Sequence, residues 1–142
     1  MKVKQILDMH KWGGSGIERE VFEFIYERFP LGSRILEIGA GHCSTKIFSQ
    51  FYHLTSIEDN RDYINWYEST YIHAPLVNGW YDIEILKEFL PKGYDLIFLD
   101  APSGEGNRGG FLDNIDLFLN VPVVVHDTNR EPERKLAVDI VS

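Results

Sequence analysis

Cysteine is almost absent from this chain. Cys43 is the only one in 142 residues, which excludes an intrachain disulfide and makes a reducing cytoplasm the expected compartment. Long apolar runs are missing too. No stretch is long enough to span a bilayer, and the opening MKVKQILDMHKW lacks the apolar region of a signal peptide, so no membrane partner is expected. Basic residues are in the minority. Against 22 Asp and Glu there are 14 Lys and Arg, a net charge of −8, which disfavours the phosphate backbone of a nucleic acid as partner. There is no internal repeat and no low-complexity linker. What the chain does have is 44% hydrophobic and 13% aromatic content, enough to exclude disorder. Its length suits one domain over 1–142, with 1–17 as a flexible N-terminal segment.

Helix and strand signals alternate along the chain. In 18–29, Val21, Phe22, Ile25 and Phe29 fall on one helical face, and Pro30-Leu-Gly32 ends the helix. A buried strand follows at 34–38, then a helix over 44–51 and a second strand at 53–57. Residues 61–70 pattern as a helix, and 71–77 as a third strand. Asn78-Gly79 turns the chain, and Asp82 is a good cap for a helix through Leu90. The clearest strand is 94–99, ending at Asp100. The glycine-rich stretch 101–110 reads as a mobile substrate lid. A helix at 111–119, a strand at 121–125 and a helix at 131–141 complete the chain. Near-continuous apolar strands alternating with helices predict a doubly wound α/β fold. Its mostly parallel sheet has about five strands in the order 3-2-1-4-5, with helices on both faces.

The most informative stretch is ILEIGAGHCST, 35–45. An apolar strand, a Gly39-Ala40-Gly41 bend and a helix capped by Ser44-Thr45 make a nucleotide-binding crevice. Only the first two glycines of the dinucleotide pattern are present, since Ser44 stands at the third. Glu37, two residues before the bend, would repel a pyrophosphate and suits a ligand bearing an ammonium or hydroxyls. Glu58 follows 21 residues later, at the end of the second strand, where a carboxylate accepts both ribose hydroxyls of an adenosine. The plainer roles are a helix cap or ion-pair partner for Glu37 and a solvated strand end for Glu58.

These residues resemble the class I S-adenosylmethionine-dependent methyltransferases. Glu37-Ile-Gly-Ala-Gly41 is similar to their first motif, and Ile57-Glu58 to the acidic end of their second strand. The resemblance implies that Gly39, Ala40, Gly41 and Ser44 approach the cofactor, with Glu37 near its methionine part. It also implies Glu58 and Asp59 at the ribose and Trp80-Tyr81-Asp82 bordering the adenine. Trp80 and Tyr81 are equally suited to the core, and Asp82 to capping its helix. A second resemblance covers Asp100-Ala-Pro102, Arg108 and His126-Asp127-Thr-Asn-Arg130 with Glu133. It is similar to small methyltransferase-like domains carrying D-G-P…R and D-D-x-x-R-x-x-E, although Ala101 replaces the glycine and His126 the first acid.

Asp100 and Asp127 would end adjacent parallel strands, where they can position the sulfonium cofactor, orient an acceptor or hold a divalent cation. A cation on Asp100, Asp127 and Asn129 is chemically possible, but no metal is expected. His126 or Asp127 is the candidate base for a hydroxyl acceptor. Arg108 and Arg130 are candidates for an acidic acceptor, Arg130 having the alternative of pairing with Glu131 or Glu133. The usual methyltransferase fold adds a C-terminal hairpin beside its fifth strand. Here the chain stops at Ser142, so that hairpin is expected to be missing. The open edge at 121–125 then calls for cover by the last helix or a second copy, hence a homo-oligomer. The expected function is methyl transfer from S-adenosylmethionine to a small-molecule or saccharide oxygen, with S-adenosylhomocysteine as product. A cofactor-binding module without catalysis and a nicotinamide-dinucleotide oxidoreductase are the alternatives.

Overall fold

Near-continuous apolar strands decide the architecture, because successive side chains point to opposite faces and both faces have to be buried. The computed structural model describes residues 3–12, 17–100 and 109–126. Its central sheet has five strands: β1 (Arg34–Ile38), β2 (His53–Glu58), β3 (Thr70–His73), β6 (Leu96–Leu99) and β7 (Val123–Val125). All pair in parallel, in the order β3-β2-β1-β6-β7. That is the expected α/β sheet with its expected strand order, β6 and β7 being the fourth and fifth strands of the sequence reading.

On one face Ile35, Leu54, Leu96 and Phe98 pack under α1 (Val3–Met9), α2 (Arg19–Arg28) and α3 (Ser44–Phe48), meeting Leu7, Phe22, Ile25 and Phe48. On the other, Leu36, Ile57, Ile97 and Leu99 pack under α4 (Ile83–Phe89), α5 (Gly110–Asp113) and a small antiparallel hairpin. The hairpin joins β4 (Leu76–Val77) to β5 (Trp80–Tyr81) through Asn78-Gly79. Both turn residues are left-handed, φ 55° and 85°, the conformation a tight two-residue hairpin requires. Asp82 caps α4 as expected, its carboxylate accepting the Glu84 N–H at 3.0 Å.

Several elements differ from expectation. The segment 61–70 is not a helix. After one 3₁₀ turn at Arg61–Tyr63 it runs irregularly to β3, with Asn65 at φ 66° and the Trp66 indole N–H donated back to the Asp62 carbonyl. The expected strand 71–77 divides in two, because Pro75 has no N–H to continue a ladder. The helix of 44–51 ends at Phe48, and that of 111–119 is a four-residue turn followed by a 3₁₀ turn at Ile115–Leu117. The flexible lead-in is partly ordered: 3–9 form α1, with Leu7 buried and Trp12 donating to the Leu7 carbonyl at 2.8 Å. Trp12 therefore anchors the terminus. The helix of 131–141 and most of the 101–110 lid lie outside the described residues.

Candidate functional site

Parallel strands bring their carboxyl ends to one edge, and here main-chain bonds extend the ladder past the strands. Gly39 N–H reaches the Ile57 carbonyl, Asp100 N–H the Ile38 carbonyl, His126 N–H the Leu99 carbonyl and Ala74 N–H the Glu58 carbonyl. Glu58, Gly39, Asp100 and His126 thus line up across β2, β1, β6 and β7. Gly39 is buried with φ 97°, a conformation that favours glycine.

Glu58, only 5% exposed, bridges two segments. One oxygen accepts the Ala40 N–H at 2.9 Å and the other the Asn60 N–H at 2.8 Å. Burial pushes its carboxyl up to about 7. The neighbouring Asp59 carboxyl adds to that, and the two main-chain bonds oppose it. Asp59 is itself half-buried, its carbonyl in hydrogen-bond contact with the His73 ring at 3.0 Å.

Glu37 lies deeper, 0% exposed between β1 and α3. Three hydroxyls saturate it: Ser44 at 2.5 Å, Thr45 at 2.7 Å and Ser56 at 2.7 Å. Burial raises this carboxyl to about 7 against those three donors, and the charge of Asp100 adds to the rise. Thr45 in turn accepts the Gly41 N–H at 2.9 Å, so the turn and the carboxylate share one network. The hydroxyls of Ser44 and Thr45, from the first turn of α3, make Glu37 the helix-anchoring group that the sequence offered as its plainer role. An ammonium would have to displace a hydroxyl to reach it.

At the other end of the edge, the Asp100 carboxylate meets His126 Nδ1 at 2.6 Å, with the His126 ring buried. Trp80 and Tyr81 are core residues, 5% and 1% exposed. Gly110 lies so close that a Cβ there would sit 2.8 Å from the Trp80 ring. Their burial supports the packing role. Asp127, Arg108, Arg130 and Asn129 lie outside the described residues. Among those described, no group of three or more His, Cys, Asp or Glu is gathered to hold a metal ion. Nor is any helix there long and apolar enough to cross a membrane.

The sequence reading missed Ser56 and the His10–Cys43 contact. Ser56 had a readable signal: it is a polar residue in an apolar strand, in register with Glu37. The His10 ring lies 3.4 Å from the Cys43 sulfur, a pairing across 33 residues that no local pattern announces. Burial lowers the His10 ring and raises the Cys43 thiol, so the two form a neutral contact rather than an activated nucleophile.

Comparison with protein-family models, with curated protein sequences and with solved structures gives no match. What the chain displays is an architecture, a Rossmann-like α/β fold on a five-stranded parallel sheet.

Proposed function

We propose that this protein is an S-adenosylmethionine-dependent methyltransferase acting on a hydroxyl of a small molecule or saccharide. The observation carrying this reading is Glu58, a carboxylate at the end of β2, bonded to the glycine-rich turn through Ala40 and crowded by Asp59. Two acids held against each other at a nearly buried strand end are disfavoured unless hydroxyl donors or a proton separate them. A ribose diol supplies two such donors, so the residues present fit an adenosine. Glu58 and Asp59 would hold the ribose, and the main chain of Gly39 to Gly41 would line the rest of the cofactor. Ser44 is committed to Glu37 and serves the cofactor only by fixing that turn.

When bound, S-adenosylmethionine supplies an electrophilic methyl group. The chain's own contribution would be alignment and a proton sink. His126, its Nδ1 set 2.6 Å from the Asp100 carboxylate, would be the group that takes the proton of an acceptor hydroxyl. Asp100 then acts as a positioning residue for His126 rather than as a cofactor ligand. Association of a second copy along β7 remains part of this proposal.

The test is calorimetric titration with S-adenosylmethionine, S-adenosylhomocysteine and NAD on wild type, Glu58→Ala and Glu58→Gln. Both sulfur ligands should bind, and Glu58→Ala should weaken them about 100-fold, the equivalent of one strong charged hydrogen bond. Preference for NAD would replace this reading with the oxidoreductase, and no binding by any of the three would end it.

A further inference from the structure

A broad concavity lies at the opposite edge of the sheet. A groove of about 1370 Å³ runs along the amino ends of β1, β2 and β3 and past 91–94. It exists because the crossover from β2 to β3 is irregular where a doubly wound fold ordinarily lays a helix. Arg34, Lys46 and Lys92 line it, and Glu68 is the only acid among the described residues of its wall. Elsewhere Arg19, Arg28 and Lys87 pair with carboxylates. The side chains of Arg34, Lys46 and Lys92 make no ion pair among the described residues, and Asp95 beside them takes the Arg34 main-chain N–H instead. The Arg34 guanidinium lies against Gly93, where an added Cβ would be 3.3 Å away. In a chain of net charge −8, three cations left unpaired in one groove are a local reversal of field.

Trp66 stands in the same wall. It is 59% exposed, yet it is held: its N–H donates to the Asp62 carbonyl at 2.7 Å and the His42 ring abuts it at 4.8 Å. Beside it, Tyr67 bonds to His42 through its hydroxyl at 3.0 Å. A fixed indole face rimmed by amides and hydroxyls (Gln50, Asn65, Ser49) matches a sugar ring, with its apolar C–H face and its hydroxyl edge.

We propose that this groove binds an acidic oligosaccharide, stacking one ring on Trp66 and setting carboxylates against Arg34, Lys46 and Lys92. A polynucleotide would also meet cations and an aromatic face, and carries the same one charge per repeat, but an acidic sugar brings more hydroxyls to the amide and hydroxyl rim of Gln50, Asn65 and Ser49. The site is independent of the methyltransferase reading, since it lies at the far edge of the sheet from Glu58.

The test uses the whole chain and calorimetry with oligogalacturonate, a neutral maltooligosaccharide and oligothymidylate, each at low and high salt. Oligogalacturonate should bind and weaken with salt. Trp66→Ala should weaken it about tenfold, and Lys46→Gln with Lys92→Gln should flatten the salt dependence. These side chains are exposed, so the core is untouched. Equal binding of the neutral oligosaccharide, preference for oligothymidylate, indifference to Trp66→Ala, or no binding up to about 10 mM would each overturn the proposal.

Discussion

The two halves of the carboxyl edge hold their acids in different ways. In the β1–β2 half, main chain and hydroxyls do the work: Glu37 has three side-chain O–H donors and Glu58 two main-chain N–H donors. In the β6–β7 half, the Asp100 carboxylate meets a titratable partner, the His126 imidazole. The donors of the first half have no proton to exchange near neutral pH, so only its acids titrate there. The donors cannot cancel the cost of burial, however, so both acids are displaced to about 7. The second half is joined by two titratable groups, and its bond changes character when either gains or loses a proton. One half is suited to holding a ligand of fixed shape and the other to moving a proton.

Glu37→Gln gives the largest expected effect. The Glu37 carboxyl is raised in the fold, from the ordinary 4.5 to about 7, so its stabilising influence is full below pH 4.5 and lost as pH rises toward 7. Above that window the buried charge costs roughly 3 kcal/mol. An amide carries no such charge, and Ser44 can turn its hydroxyl to accept the new N–H. In urea titrations the variant should therefore match or trail wild type at pH 5 and exceed it at pH 8. A difference that does not change with pH would mean that hydroxyl bonding outweighs burial here.

Asp100→Ala examines the other half. It withdraws the acceptor from Nδ1 of a buried ring, which should cost about 2 kcal/mol of stability. Asp100→Asn, which keeps an acceptor oxygen, should recover much of that. Equal losses in the two variants would show that charge, not hydrogen bonding, holds the pair.

Much of this was legible in the sequence because it is local. The strand–turn–helix of 34–48 follows from an apolar run and two glycines, the Asn78-Gly79 hairpin turn from the conformations those residues tolerate, and the α4 cap from Asp82. Helix patterning failed at 61–70, where Asn60 caps only a single 3₁₀ turn, Asn65 turns left-handed and Trp66 bonds backward onto the main chain. Such local bonds compete with helix, and composition does not rank the competitors. Within the candidate site, positions were readable but partners were not. Glu37 stood out in its motif. That its charge is spent on Ser44, Thr45 and Ser56 depends on the register of β1 against β2 and on how α3 docks, both of them tertiary facts.

Ser44→Ala is the smallest effect and the sharpest probe of the β1–β2 half. The Ser44 hydroxyl favours the ionised form of Glu37, since it lowers a carboxyl that burial raises. Removing it leaves Thr45 and Ser56 in place and deletes only one of three donors. The loss should be about 1 kcal/mol at pH 8, where Glu37 is mostly charged, and smaller at pH 5, where the protonated acid needs fewer donors. The dependence on pH therefore runs opposite to that of Glu37→Gln: one variant gains on wild type as pH rises and the other falls behind. If both shift in the same direction, the hydroxyls are not stabilising a charge and the network is held by packing alone. In the double variant Glu37→Gln with Ser44→Ala, the pH dependence of the serine effect should vanish, because the group whose ionisation it serves is gone.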